Sequence, residues 1–271
     1  MIHPTAIISP NAQIGEKVQI APYAVIDENV VIGEACRIGP HVHITGHTTI
    51  GSDTVIHAGA VIGDEPQDVH YDGSVTYTEI GKKCHIREYV TVHRGTAAGS
   101  KTILGDNVML MAYSHVGHNC RLANNVILAN ASHLGGHVQI EERAFLSAGV
   151  LLHQFCRVGT LAMIGGVNRV VQDVPPYCLL QDGVIQGVNI IGLRRAGFSS
   201  EARKAIQRAA KIYFFMGLNR PNALTQIRQE LHDVPEIETF ATFIENTTRG
   251  IVDGRTAKNG KTAEDMQEPE A

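Results

Sequence analysis

The chain has 271 residues, 44% hydrophobic, 18% charged and 5% aromatic, with no tryptophan and a formal charge of −4. That length suffices for one large or two small domains, with a core built mainly from small and β-branched residues. The acidic balance excludes a nucleic-acid binder as the whole-chain reading; no apolar run reaches the roughly 18 residues of a membrane span; and five cysteines without a CxxC exclude a disulfide framework.

The N-terminus, MIHPTAIISPNAQIG, lacks the basic region and apolar stretch of a signal peptide, which predicts a cytoplasmic protein. From Ile2, every sixth residue through Ile62 is isoleucine. The register resumes at Ile80, Ile86 and Val92, and again from Leu104 to Val170. Glycine often follows the aliphatic residue, and a small residue stands four places after it. A period of six fits neither an amphipathic helix nor a simple strand. It fits short strands and turns stacked as a parallel β-helix, aliphatics inward and small residues in the corners. Cys36, Cys84, Cys120 and Cys156 occupy the small position, which predicts packed core thiols rather than nucleophiles or ligands.

Two stretches interrupt the repeat. Residues 64–79 and 94–103 lack aliphatics at the expected places and are read as extruded loops, part of a working surface. The repeat fades at Val174-Pro175-Pro176, so the β-helix is assigned to 1–190 with a connecting segment from 175. Helices are predicted over Ser199–Gly217, Asn222–His232 and Glu236–Thr247, forming a cap over 191–251. The polar stretch 252–271 is expected to be disordered. Between Arg194 and Arg228 stand eight basic residues and one acid, Glu201, a net +7 that suggests an anionic partner.

If three hexads make one coil, residues 18 apart stack about 4.8 Å from each other. His118 then lies under Gly136 and Gln154, Asn119 under His137 and Phe155, and His115 under His133. So His118, His137, His153 and Gln154 converge on one corner, kept open by Gly117, Gly135 and Gly136. Two chemistries fit such a cluster: general-base catalysis by one histidine, or metal binding by several. No HExxH, GxSxG, Walker or dinucleotide motif is present.

The segments HRGT (93–96), MAYSHVGHNC (111–120), VILANASHLGGHV (126–138), LHQFCRVG (152–159), QDVPPY (172–177) and GVNIIGLRRAGF (187–198) resemble the UDP-N-acetylglucosamine O-acyltransferase family, over roughly residues 1–250. The resemblance implies a left-handed β-helix with a C-terminal α-helical domain, assembled as a homotrimer with active sites between prisms. It implies transfer of a 3-hydroxyacyl chain from acyl carrier protein to the 3-hydroxyl of UDP-N-acetylglucosamine, the first step of lipid A biosynthesis. No resident cofactor or metal is implied; the phosphopantetheine thioester of the carrier protein is a substrate. By the same resemblance His118 is the general base and the Gly136 N–H stabilises the oxyanion. Asp68, His70, His115, His137, His153, Gln154, Asn189 and Arg195 bind substrate, and Gly166 sets acyl-chain length.

Three positions depart from the common family pattern. His70 replaces a lysine, Asn119 an aspartate and Ile191 a glutamate. These departures keep a 3-amino sugar nucleotide open as acceptor. The sibling N-acyltransferase carries an extra N-terminal domain, for which hexads beginning at residue 2 leave no room. Other classes are a trimeric, zinc-dependent hydratase like the γ-class carbonic anhydrases and a purely structural solenoid.

Overall fold

Each hexad folds as a two-residue strand followed by a corner, and three hexads close one coil. In this computed structural model, which describes residues 1–255, the coils form three parallel sheets of nine, eight and ten strands. The first face runs from Ile7–Ile8 to Arg169–Val170 and the second from Gln13–Ile14 to Arg157–Val158. The third runs from Gln19–Ile20 to Cys178–Gln181 and ends on the antiparallel strand Val184–Val188. Together they make a left-handed β-helical prism.

The repeat acts through two local devices. The aliphatic residue of each hexad points inward, and Ile26, Ile32, Ile44, Ile50, Leu104 and Leu128 are among the fully buried side chains. Three residues further on, the chain turns through a left-handed residue, with φ between 55° and 62° at Lys17, Tyr23, Asn29 and Ala35. That conformation costs an L-residue roughly 1–2 kcal/mol, offset by the core that each turn lets the chain bury. The glycine after the aliphatic meets a separate demand. A Cβ at Gly33 would lie 2.7 Å from the Ser52 nitrogen of the next coil. All five cysteines are free and buried. The thiols of Cys36, Cys84 and Cys120 each donate to a glycine carbonyl at 3.2 Å, and burial pushes Cys120 up to about 12.

Both loops are shorter than the pattern of aliphatics predicts. Strands Val61–Asp64 and Tyr77–Ile80 bracket the first, and strands Thr91–His93 and Lys101–Leu104 bracket the second. The reason is a second inward column. Thr48, Thr78 and Thr102 lie in register, all fully buried, two places before the aliphatic. β-Branched threonines extend these strands to four residues, where a count of aliphatics sees only a gap.

The segment after residue 175 also carries more structure than a connection. Cys178–Gln181 continues the third face, with Leu180 opposite Ile164, and turns back as Val184–Val188. Among the described residues four helices follow: α1 (Ile190–Arg195), α2 (Ser200–Phe215), α3 (Arg220–Leu231) and α4 (Pro235–Glu245). Ser199 caps α2 by accepting from the Ala202 N–H at 3.1 Å, and Asn219 caps α3 in the same way from Asn222. The stretch expected to be disordered, 252–271, begins against the prism: Val252 is buried, and Ile251 and Gly254 bridge to Asp173 and Ile185. Residues 256–271 lie outside the described residues.

One buried carboxylate ties the helices to the prism. Asp173, with no solvent exposure, accepts the Arg157 N–H at 2.8 Å and the Thr247 hydroxyl at 2.7 Å. The Arg157 guanidinium lies 4.0 Å from the Phe243 ring centroid and donates to the Phe243 and Asn246 carbonyls. Asp173→Ala leaves a buried N–H and a guanidinium short of partners, so unfolding free energy should fall by about 2–3 kcal/mol. Urea denaturation measures this, and limited proteolysis should release the helical region first.

Candidate functional site

The edge between the first and second faces carries three stacked left-handed residues, Asn119, His137 and Phe155, with φ of 61°, 61° and 65°. Coil stacking is as the 18-residue arithmetic predicts. The His137 N–H donates to the His118 carbonyl at 2.9 Å, and the Phe155 N–H to the Gly136 carbonyl at 3.0 Å. The His118 and His137 rings meet edge to face at 5.2 Å, and His137 stacks on Phe155 at 4.7 Å. Gly136 makes room for the His118 ring. A Cβ there would sit 2.4 Å from both Cε1 and Nε2 of that ring. No bond from the Gly136 N–H to another group is formed among the described residues.

The tautomer of His118 follows from its neighbours. The Thr96 N–H donates to Asn119 Oδ1 at 3.1 Å, which identifies that atom as the amide oxygen. The same oxygen lies 2.9 Å from His118 Nδ1, so Nδ1 carries the hydrogen and Nε2 the lone pair. Asn119 is itself anchored, its N–H donating to Thr102 Oγ1 at 2.8 Å. Nε2 faces Asp68 Oδ2 across 3.7 Å, longer than a hydrogen bond.

Asp68 reaches this edge from the first loop. It accepts from the His70 backbone N–H at 3.0 Å and lies 3.1 Å from His70 Nδ1; these bonds, backbone first, hold its carboxyl below its ordinary range. His70 is thus an exposed support for Asp68. The loop is clasped by Arg94, whose guanidinium donates to the Gly63 carbonyl (3.0 Å), the Tyr71 hydroxyl (3.1 Å) and Glu65 (3.2 Å). Sequence reasoning did not assign Arg94 or Tyr71 a role. The available signal was an arginine inside HRGT facing a loop that contains a tyrosine.

A second row of imidazoles climbs the first face. His93 and His115 meet at 4.9 Å, His115 and His133 at 6.3 Å, and His115 Nδ1 lies 2.7 Å from Thr91 Oγ1. Burial, joined by neighbouring imidazoles, holds His115 down to about 4, and burial likewise lowers His93 and His137. These rings are neutral at pH 7, able to exchange hydrogen bonds but not to supply fixed positive charge. His93, buried with Nδ1 unpartnered, was also missed as a site residue.

The remaining predicted residues divide. His153 and Gln154 lie on the His118 edge, exposed, with His153 Nδ1 3.2 Å from the Gln154 carbonyl. Asn189 lies on the edge between the second and third faces. Its Oδ1 caps α1 by accepting from Gly192 at 3.0 Å, and its Nδ2 donates to the Leu161 carbonyl at 2.9 Å. Arg195 ends α1, exposed. Gly166 lies on the third edge, beside the left-handed Val167. One chain therefore does not bring Asn189, Arg195 or Gly166 to His118. Among the described residues, no group of three or more histidine, cysteine, aspartate or glutamate side chains is disposed to hold a metal ion. No described helix is long and apolar enough to cross a membrane.

Residues 101–136 match the family model described as bacterial transferase hexapeptide (six repeats), and residues 173–252 match UDP N-acetylglucosamine O-acyltransferase, domain 2. Residues 20–112 match a GMPPB C-terminal domain. An acyl-[acyl-carrier-protein]--UDP-N-acetylglucosamine O-acyltransferase of Halorhodospira halophila is 43% identical over 257 residues, 93% of this chain and 98% of its own. The enzyme of that name from Sinorhizobium fredii is 44% identical over 90% of this chain and 91% of its own. The crystal structure of the UDP-N-acetylglucosamine acyltransferase of Bacteroides fragilis superposes with a TM-score of 0.91 at 45% identity, covering 93% of this chain and all of that one.

The depressed imidazoles predict how stability varies with pH. As pH falls below about 6.5, the unfolded chain takes up protons at His93, His115 and His137 before the folded chain does. Their contribution is complete above that pH and is lost as pH falls toward the folded value of about 4 at His115. The melting temperature should drop between pH 6.5 and 4, and His115→Asn should lose less over that window. Thermal denaturation across the range checks both.

Proposed function

The chain belongs to the UDP-N-acetylglucosamine O-acyltransferase family, and we propose that it transfers a 3-hydroxyacyl chain from acyl carrier protein to the glucosamine 3-hydroxyl of UDP-N-acetylglucosamine, opening lipid A biosynthesis. The observation that carries this reading is the polarised His118. Its Nδ1–H is tied to a fixed amide oxygen, and its Nε2 lone pair faces the gap beneath Asp68. The acceptor hydroxyl donates its proton to Nε2 while its oxygen attacks the thioester carbonyl. The carbonyl oxygen, now negative, receives the unpaired Gly136 N–H. Collapse expels the phosphopantetheine thiolate, which takes the proton back from His118. Atoms and charge balance without a resident cofactor or metal.

The departures at 70 and 119 fit this scheme. Asn119 fixes the tautomer without adding charge. Negative charge for the transient imidazolium comes from Asp68 on the Nε2 side, and His70 holds that carboxylate in place. His115, His137, His153 and Gln154 then serve as hydrogen-bonding partners for the sugar and the pantetheine arm.

Homotrimer assembly is part of the proposal. His118 on one edge and Asn189, Arg195 and Gly166 near the others join one site only when neighbouring prisms meet. The outward row of the third face supports it. Met109, Ile127, Phe145, Met163 and Leu179 form a half-buried apolar stripe over five coils. The acidic carrier protein would dock on α2, but with less charge than the +7 of the segment suggests. Arg208 is paired with Glu230, and Arg228 with Glu238 and Glu245, and the exposed cations of α2 are Lys204 and Lys211. Five buried free thiols accord with a cytoplasmic location.

His118→Ala should lower acyl transfer by about 10²–10⁴-fold with an unchanged melting temperature, read by mass spectrometry with UDP-N-acetylglucosamine and 3-hydroxyacyl carrier protein. Retained turnover would overturn the assignment, and transfer only to a 3-amino analogue would reassign the acceptor. At Gly166 a Cβ would meet only the Ala148 carbonyl at 3.2 Å and Ser147 at 3.9 Å, so a side chain has room to project outward. Gly166→Met should therefore shorten the acyl chain preferred in a competition among donors of graded length.

A further inference from the structure

Beside the catalytic edge, on the second face, lies an open cavity of about 630 Å³. It shares Asn119, His137 and Phe155 with that edge, and its other lining includes Lys101, Arg121 and Arg157 but no carboxylate. Two of the three cations are already committed. Lys101 Nζ lies 2.9 Å from Glu79, and Arg157 is held by the Phe243 ring, two carbonyls and Asp173. Arg121 has neither a carboxylate nor a carbonyl partner among the described residues and is exposed. It stands three residues after His118 and two after Asn119, facing Gln139 one coil further on.

We propose that this cavity is a phosphate subsite in which Arg121 is the principal ligand, a role that rests on the acyl-transfer reading of His118. Both substrates of that reaction bring phosphate: a diphosphate one sugar ring from the reacting hydroxyl, and a phosphodiester on the donor's pantetheine arm. A group held against His118 and His137 has this cavity next to it, bordered by His137 and by Asn119, the neighbour of His118. There it meets a guanidinium whose fork of donors matches phosphate oxygens, and whose charge persists at any working pH. Burial disfavours the charged form of His137, which therefore offers no such fixed charge. His70 replaces a lysine of the family pattern, and Asn189 spends its amide on capping α1 and on the Leu161 carbonyl. Arg121 supplies fixed positive charge from a different strand, next to the catalytic edge.

The test compares the wild type with Arg121→Gln, Arg121→Lys and Gln139→Glu, which sets a carboxylate opposite Arg121. Steady-state kinetics are run separately against UDP-N-acetylglucosamine and acyl carrier protein, and calorimetry compares UDP with uridine. Losing a charge-assisted hydrogen bond should raise one KM by about tenfold or more with kcat little changed, Gln139→Glu acting in the same direction and Arg121→Lys recovering part of the loss. A rise for the sugar nucleotide, with weaker UDP but unchanged uridine binding, assigns the subsite to the diphosphate. A rise for the carrier protein that persists with acyl-phosphopantetheine but vanishes with acyl-pantetheine assigns it to the donor arm. Both KM values unchanged in Arg121→Gln overturns the proposal while wild-type turnover leaves the transfer reaction standing. Absence of turnover in the wild type would instead remove the reading on which the proposal rests.

Discussion

The constraint on which this structure depends is the close stacking of successive coils. Parallel backbone hydrogen bonds fix the spacing, and the inward aliphatic of each hexad fixes the rotation. A one-residue slip would turn an aliphatic column outward, so the register is strongly specified. The left-handed corner residues and the glycines under 3 Å from the next coil follow from the same requirement. Loops can be extruded without disturbing it because the strands on either side re-enter register. Val61 and Ile62 pair with Thr91 and Val92 across the first loop as neighbouring coils do elsewhere.

The site is a consequence of that stacking. A ring at one corner position needs a gap at the next coil, and Gly136 gives it to His118. The loops then do what the corner alone does not. The second loop aims the Thr96 N–H at Asn119, which orients His118, and the first delivers Asp68 opposite Nε2. Arg94 connects these functions, since it lies on the strand end of the second loop and holds the backbone and Tyr71 of the first. A rigid solenoid thus supplies spacing, and two loop segments supply direction and charge.

The electrostatic pattern is economical. Burial disfavours the charged forms of His93 and His115, so these rings can make hydrogen bonds without accumulating repulsive charge. Asp68 brings formal negative charge to one side of the edge, and the second-face cations line the other. At the end of the prism, Asp173 and Arg157 serve a structural purpose, satisfying backbone groups where coil meets helix. Two cations of the helical segment, Arg208 and Arg228, are likewise spent internally on glutamates.

Periodicity determined the parallel β-helix, the inward columns and the buried cysteines and, once three hexads are taken as one coil, the stack of His118 on Gly136, because a fixed repeat converts sequence distance directly into spatial distance. It failed where that conversion fails. Thr78 and Thr102 hid two strand extensions, since their inward positions are filled by polar residues that the aliphatic count passes over. The hairpin after residue 175 departs from the period of 18, and α1 follows a cap, Asn189, that reads in sequence as a binding residue. The orientation of His118, the clasp of Arg94 and the lack of a carboxylate partner for Arg121 among the described residues were decided only by tertiary structure. Each depends on loops or side chains that meet across distances no local pattern encodes, and hydrogen-bond geometry rather than spacing selects the partner.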